Sequence, residues 1–402
     1  MADAAVYERH MSSRLFTLIL GLIIISGCSS KQHQAEIFVK QGIQNSQKGD
    51  LDEAEYDFDQ AIGLDPQNAN AYYHRGVVKA QLNNWDGAIA DFTHAIQFKS
   101  QNAAAYFCRG IAKQQNGDLK GALADYTQTI TLDPQAAHAY LRRGMVKFLM
   151  DDWDGAIADY TRSVQLDPQN AIAYFHRGIA EHTQGKLDSA LADYTRALAI
   201  KPDYTNIFYA YVYERRGTLK IDQCDLDGAI ADLDQAIELM PQDAGYHMDR
   251  GVANYLGHHP SAAITDLQKA AELRFIYYDY PRIFTWLVKA EQADQLAAAN
   301  QELKGYFFAR AGGTNDWPFQ VGHFLTGGLP QPDFLEAANS TDPKTDKEQH
   351  CEAYFYIATI YLLSGDTRAA KSFFQQCIAT DVKTFYEYRM AKVKLKELDA
   401  EN

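Results

Sequence analysis

The strongest constraint on this chain is that it repeats itself every 34 residues. Four stretches align almost letter for letter: NAYYHRG (70–76), AAYFCRG (104–110), HAYLRRG (138–144) and IAYFHRG (172–178). Their glycines are Gly76, Gly110, Gly144 and Gly178. Twelve residues after each comes a small residue, Ala88, Ala122, Ala156 or Ala190. Four further on stands an aromatic ring: Phe92, Tyr126, Tyr160 or Tyr194. Pro134, Pro168 and Pro202 close their units, and Ser100 takes the equivalent slot. A period of this length describes small units that bury their apolar faces against one another in a row.

These positions resemble the tetratricopeptide pattern, which implies an all-α solenoid of helix-turn-helix units wound into a right-handed superhelix. Small Gly and Ala suit a close crossing of two antiparallel helices. The aromatic ring fills the space beside them. Proline ends the second helix because it lacks an amide and clashes with the preceding turn. The frame predicts seven units, at 35–68, 69–102, 103–136, 137–170, 171–204, 210–243 and 244–277. The spacing from Gly178 to Gly217 is 39, so five residues enter near Tyr204–Tyr209 and are expected to lengthen a helix. The stretch 278–350 breaks the pattern and reads as an irregular helical segment. Within it, Lys289–Lys304 reads as helix and Ser340–Glu348 as loop. A final unit is expected at 351–384, followed by a capping helix and tail at 385–402.

The residue before each repeat glycine is Arg: Arg75, Arg109, Arg143, Arg177, Arg216 and Arg250. Sixteen residues after each comes Asp91, Asp125, Asp159, Asp193, Asp232 or Asp266. The first unit keeps Asp57 but has Gln41 in place of Arg. One reading is an arginine row that binds anionic ligands. The other is a ladder of structural ion pairs, favoured because every Arg has its own Asp and a guanidinium meets a carboxylate in bidentate fashion.

The first helix of each unit is expected to line a groove. Tyr73, Phe107, Leu141, Phe175, Phe148 and His182 are the candidate binding positions there. Their apolar and aromatic character suits a peptide helix or extended segment. Packing between repeats is the competing use of the same side chains, and a homodimer surface is another use of exposed aromatic area.

Leu15–Ile25 is an 11-residue apolar run preceded by Arg9 and Arg14. A membrane-spanning helix needs about 20 such residues, so the run fits the core of a secretory signal. Ile25-Ser26-Gly27-Cys28 follows and resembles a bacterial lipobox. The resemblance implies a signal peptide over 1–27, lipid on Cys28, a tether over 28–34 and attachment to the membrane through that lipid alone. Ser29 after the cysteine points, by the same resemblance, to the outer membrane and a periplasm-facing chain. Either Met1 or Met11 serves as the start.

The net charge of −14 argues against a nucleic-acid-binding surface. No nucleophile elbow, phosphate loop or zinc-binding signature occurs, so no catalytic residue, metal or cofactor is expected. His258-His259 reads as a turn. Cys351 and Cys377 fall on one helical hairpin. They are either within reach of a disulfide or two small buried thiols.

The combination of lipobox, N-terminal repeats, irregular middle and separate final hairpin is similar to the NlpI-like bacterial lipoproteins. The stretch 353–398 carries the resemblance most specifically, with Trp317-Pro318 and Gly322–Gly327 adding to it. The resemblance implies an outer-membrane adaptor that dimerises and brings peptidoglycan hydrolases to a processing protease. This chain has more central repeats than the family pattern. Two other functions stay open: a scaffold for a secretion or pilus assembly, and a carbohydrate-binding or enzymatic module in 278–350.

Overall fold

The computed structural model describes residues 30–200, 205–275, 279–292, 294–310 and 316–400. Cys28 and the segment 1–27 therefore lie outside the described residues. Every regular element among the described residues is helical, as the repeat predicts. No described helix is long and apolar enough to cross a membrane. The chain divides into two compact units at Ala180.

The first unit is a stack of helical hairpins. Helix α1 covers 30–48 and α2 Leu51–Leu64. Then come α3 (Ala69–Gln81) with α4 (Trp85–Phe98), α5 (Ala103–Gln115) with α6 (Leu119–Leu132), and α7 (Ala137–Leu149) with α8 (Trp153–Leu166). The division falls within α9, Ala171–Thr183. The second helix of a pair starts at a side-chain cap. Asn84, Asp118 and Asp152 each accept a hydrogen bond from the backbone N–H of Gly87, Gly121 or Gly155. Such caps satisfy donors that the first turn leaves unpaired.

Each hairpin closes where a repeat glycine meets a repeat aromatic. A Cβ on Gly110 would lie 2.7 Å from Tyr126 Cε1, inside any tolerable contact. Tyr126 is fully buried and its hydroxyl donates to Gln114 Oε1 at 2.8 Å, so the ring has nowhere to go. Gly110→Ala is therefore expected to cost about 1–3 kcal/mol through overpacking. Urea unfolding read at α5 and α6 by hydrogen exchange checks this, and unchanged protection would refute it.

The second unit holds α10 (Leu187–Ala199), α11 (Asn206–Asp222), α12 (Leu226–Leu239), α13 (Ala244–Leu256) and α14 (Pro260–Glu272). Helix α11 has 17 residues where the other first helices have 13, which absorbs most of the insertion. Beyond it, α15 (Tyr280–Ala290), α16 (Leu296–Ala309), α17 (Trp317–Leu325) and α18 (Gln331–Ala337) replace the irregular stretch. The helix expected over 289–304 is broken between Ala290 and Leu296. The loop expected over 340–348 is a correction too, because α19 already starts at Pro343 and runs to Leu363. Asp342 caps it by accepting from the Thr345 N–H at 2.9 Å, and Pro343 sits at the first helical position, where its missing N–H costs nothing. Helices α20 (Thr367–Ala379) and α21 (Tyr386–Ala400) complete the unit.

Helix α21 does more than cap a stack. It packs on α19 and α20, and also returns against α11 and α13. Tyr386 donates to Asp249 Oδ1 at 2.8 Å, and Lys394 reaches Glu291 at 3.3 Å beneath the Tyr255 ring. The consequence is one continuous apolar core running from Ile221 to Leu398. The first unit instead carries several small cores, one at each junction.

Candidate functional site

The arginine ladder is the most regular feature of both units. Nη2 of Arg75, Arg109, Arg143, Arg216 and Arg250 lies 2.6–2.7 Å from Oδ1 of its aspartate, and Nε donates to Oδ2 of the same group. The fork is thus bidentate, and each aspartate is buried. The hydrogen bonds that Arg143 donates to Asp159 hold its guanidinium above the usual pKa range, against the opposing effect of burial. Arg177 reaches Thr161, and its predicted partner Asp193 belongs to the other unit.

The structure adds three partners to this pair. A lysine one turn after the arginine shares the carboxylate: Lys79, Lys113, Lys147 and Lys220 place Nζ 2.8–2.9 Å from Oδ2. Asn45 and Asn254 take that slot at Asp57 and Asp266. A tyrosine three residues earlier lies under the guanidinium, with Tyr72, Tyr106, Tyr140, Tyr174 and Tyr213 at 5.5–5.7 Å. The remaining nitrogen, Nη1, reaches back to the preceding hairpin at Asp59, Thr93, Thr127, Thr161, Thr195 or Asp234. Arg75, Arg109, Arg143, Arg216 and Arg250 therefore each tie three helices together. The 34-residue period carried all three signals, since each partner recurs in step with its arginine in most units. With its nitrogens engaged inside the protein, the row is a clamp, and the anion-binding reading is corrected.

The candidate groove residues are drawn toward the same packing. Leu141 and Phe175 are buried, at 9% and 8% exposure, so neither can face a partner. Leu141 is taken up by a small core with Tyr160 and Val164, although Tyr73 and Phe107 at the same repeat position stay half-buried. Tyr73 and Phe107 are half-buried against Phe92 and Tyr126, and Phe107 also meets His138 edge-on. Phe148 is half-buried, and His182 Nε2 contacts Asp222 Oδ2 at 2.9 Å. What stays partly accessible on α3, α5 and α7 is a row formed by Tyr73, Val77, Phe107, Ile111, Met145 and Phe148.

The final hairpin holds a buried polar cluster that sequence reasoning did not find. Glu352 accepts from Tyr280 at 2.8 Å and from Trp317 Nε1 at 3.0 Å. Glu387 accepts from Tyr356 at 2.7 Å. Burial raises Glu387 to about 7 despite that bond, and burial plus the charge of Glu387 pushes Glu352 well above the carboxylate range. Beside them, Cys351 and Cys377 are buried free cysteines with their sulfurs 3.5 Å apart. Among the described residues, no group of three or more His, Cys, Asp or Glu side chains is placed to hold a metal ion.

The tetratricopeptide repeat family matches residues 150–205 and 352–381, and the TPR repeat family matches 46–83 and 78–117. Among solved structures, the chain is similar to the crystal structure of MamA protein, at 25% identity over 41% of this chain and 91% of that one, TM-score 0.40. It is similar to PilF of Pseudomonas aeruginosa, at 17% identity over 54% and 96%, TM-score 0.47. A tetratricopeptide repeat protein of Parabacteroides merdae matches at 18% identity over 64% and 99%, TM-score 0.47. By its repeat matches and its stacked hairpins, the chain is a tetratricopeptide repeat protein.

Proposed function

We propose that this protein is a lipid-anchored scaffold of the bacterial envelope that binds other proteins through its first unit. The observation that supports this most directly is the accessible apolar row on α3, α5 and α7, carried by a clamped and regular stack. In the second unit, α21 lies against the equivalent helices α11 and α13, which leaves less of that face for a partner. The sequence up to Cys28 supports the anchor, and Ser29 supports the outer-membrane location. The resemblance to NlpI-like lipoproteins supports peptidoglycan hydrolases and a processing protease as partners. Two proteins held on one platform meet at a raised effective concentration.

Affinity purification of the membrane-anchored protein after mild crosslinking tests this reading. Hydrolases and a processing protease are expected in the eluate, and Phe107→Ser with Ile111→Ser is expected to deplete them. Secretin or pilus components in their place would replace the adaptor reading with an assembly scaffold. Wall-fragment turnover by the purified chain would replace both.

A further inference from the structure

The segment between the last full repeat and the final hairpin contains a groove that the scaffold reading does not use. It lies between α16 and α17 in the second unit and measures about 760 Å³, within the usual size of a ligand site. Its apolar wall is formed by Phe308 and Phe319. Phe308 is 93% exposed, far more than any other large apolar residue described. Such a ring is a cost in water unless something covers it.

Gly305 lies on the same wall and is the second observation. Glycine inside a helix costs about 1 kcal/mol relative to alanine, so it needs a reason. The other groove glycines have one. A Cβ on Gly322 would strike Phe307 at 2.1 Å, and one on Gly328 would strike the His323 ring at 2.1 Å. A Cβ on Gly305 would meet nothing within 4 Å. The helix backbone is left bare toward the groove, which permits close approach by a ligand. The third observation is charge. Lys304 lines the groove, and none of its described lining residues is acidic, in a chain whose net charge is −14.

We propose that this groove binds a short segment of a partner protein that carries an apolar side chain beside a carboxylate. The apolar side chain lies over Gly305 between Phe308 and Phe319. The carboxylate meets Lys304. A concave site of this size favours a peptide over a membrane surface. This proposal rests on the protein-binding reading but assigns a separate site within it.

The test pans a library of short random peptides on the full chain and compares variants. Selected peptides are expected to pair an aromatic or aliphatic residue with Asp or Glu. Gly305→Leu is expected to weaken their binding by about tenfold or more, as for a blocked anchor pocket. The same variant should melt at or above the wild-type temperature, because leucine favours the helix and its Cβ meets open space. Lys304→Glu should remove the preference for acidic peptides. The proposal is overturned by selection of no peptides, by peptides that bind Gly305→Leu as well as wild type, or by absence of acidic preference. Binding of phosphatidylglycerol vesicles that Gly305→Leu abolishes, with no peptide selected, would overturn it in favour of a lipid contact. The crosslinked eluate separates the two readings. Wild-type partners without peptide selection would remove the groove and keep the scaffold, whereas an empty wild-type eluate would remove the scaffold.

Discussion

Replacing Asp159 by alanine is expected to destabilise the first unit by about 3–5 kcal/mol, the range for breaking a buried ion pair from one side. The carboxylate is only 6% exposed and serves two cations, Arg143 at 2.7 Å and Lys147 at 2.8 Å. Both would be stranded, at 17% and 22% exposure, beside the seam between hairpins. Arg143→Ala should cost clearly less, because Lys147 still neutralises Asp159. Lys120→Ala, on an exposed position, should lie within about 0.5 kcal/mol of wild type. Urea unfolding of the three variants, followed by hydrogen exchange in α7 and α8, ranks them. Equal losses for Asp159→Ala and Lys120→Ala would remove the clamp as a source of stability.

Raising the pH is expected to weaken the second unit, and Glu387→Gln is expected to remove the share of that effect that Glu387 carries. Burial pushes Glu387 up to about 7, Glu214 to about 7 and Asp249 to about 6. Glu214 lies beside Arg215, and Asp249 accepts from Tyr386 and faces Arg215 and Arg389, yet burial outweighs these in both. Each folded-state value lies above its unfolded one, so the folded unit binds more protons between them. The stability contributed is fully present below about pH 4 and is lost as pH rises through about 6 to 7. For Glu387 alone the loss is on the order of 3 kcal/mol, since one pKa unit is worth about 1.4 kcal/mol. Glutamine keeps an acceptor for Tyr356 and removes the titration. Urea unfolding between about pH 5 and 8, followed through Trp317 beside Glu352, measures the slope. A slope in Glu387→Gln no smaller than that of wild type, or stability that rises with pH, would contradict this account.

Both predictions depend on positions that differ in how plainly the sequence shows them. Arg143 and Asp159 recur with the repeat, so their pairing is readable from spacing alone. Lys147, Tyr140 and Thr127 recur in most units but not in all, so their signal is weaker. Leu141 and Phe175 were misread for a reason that is also geometric. They are apolar and occupy the same repeat position as the half-buried Tyr73 and Phe107, so the period does not separate a packed side chain from an accessible one. The buried carboxylates had no such signal. Glu352 and Glu387 occur once each, and nothing in their neighbours distinguishes them from surface glutamates.

The sequence by itself determined the all-α class, the hairpin stack and the crossing of glycine on aromatic. These depend on contacts between residues 12 to 34 positions apart that repeat in phase, so one contact confirms the next. Only the tertiary structure decided that α21 would turn back onto α11 and α13. The hydrogen bond from Tyr386 to Asp249 spans 137 residues and happens once, so no period announces it. That return joins the C-terminal part of the second unit in one large core and brings carboxylates into it. It also leaves the first unit with the more accessible helix face. The groove at Gly305 and Phe308 is tertiary for the same reason. A bare glycine and an exposed ring look ordinary in a sequence, and line a groove only because α17 faces them.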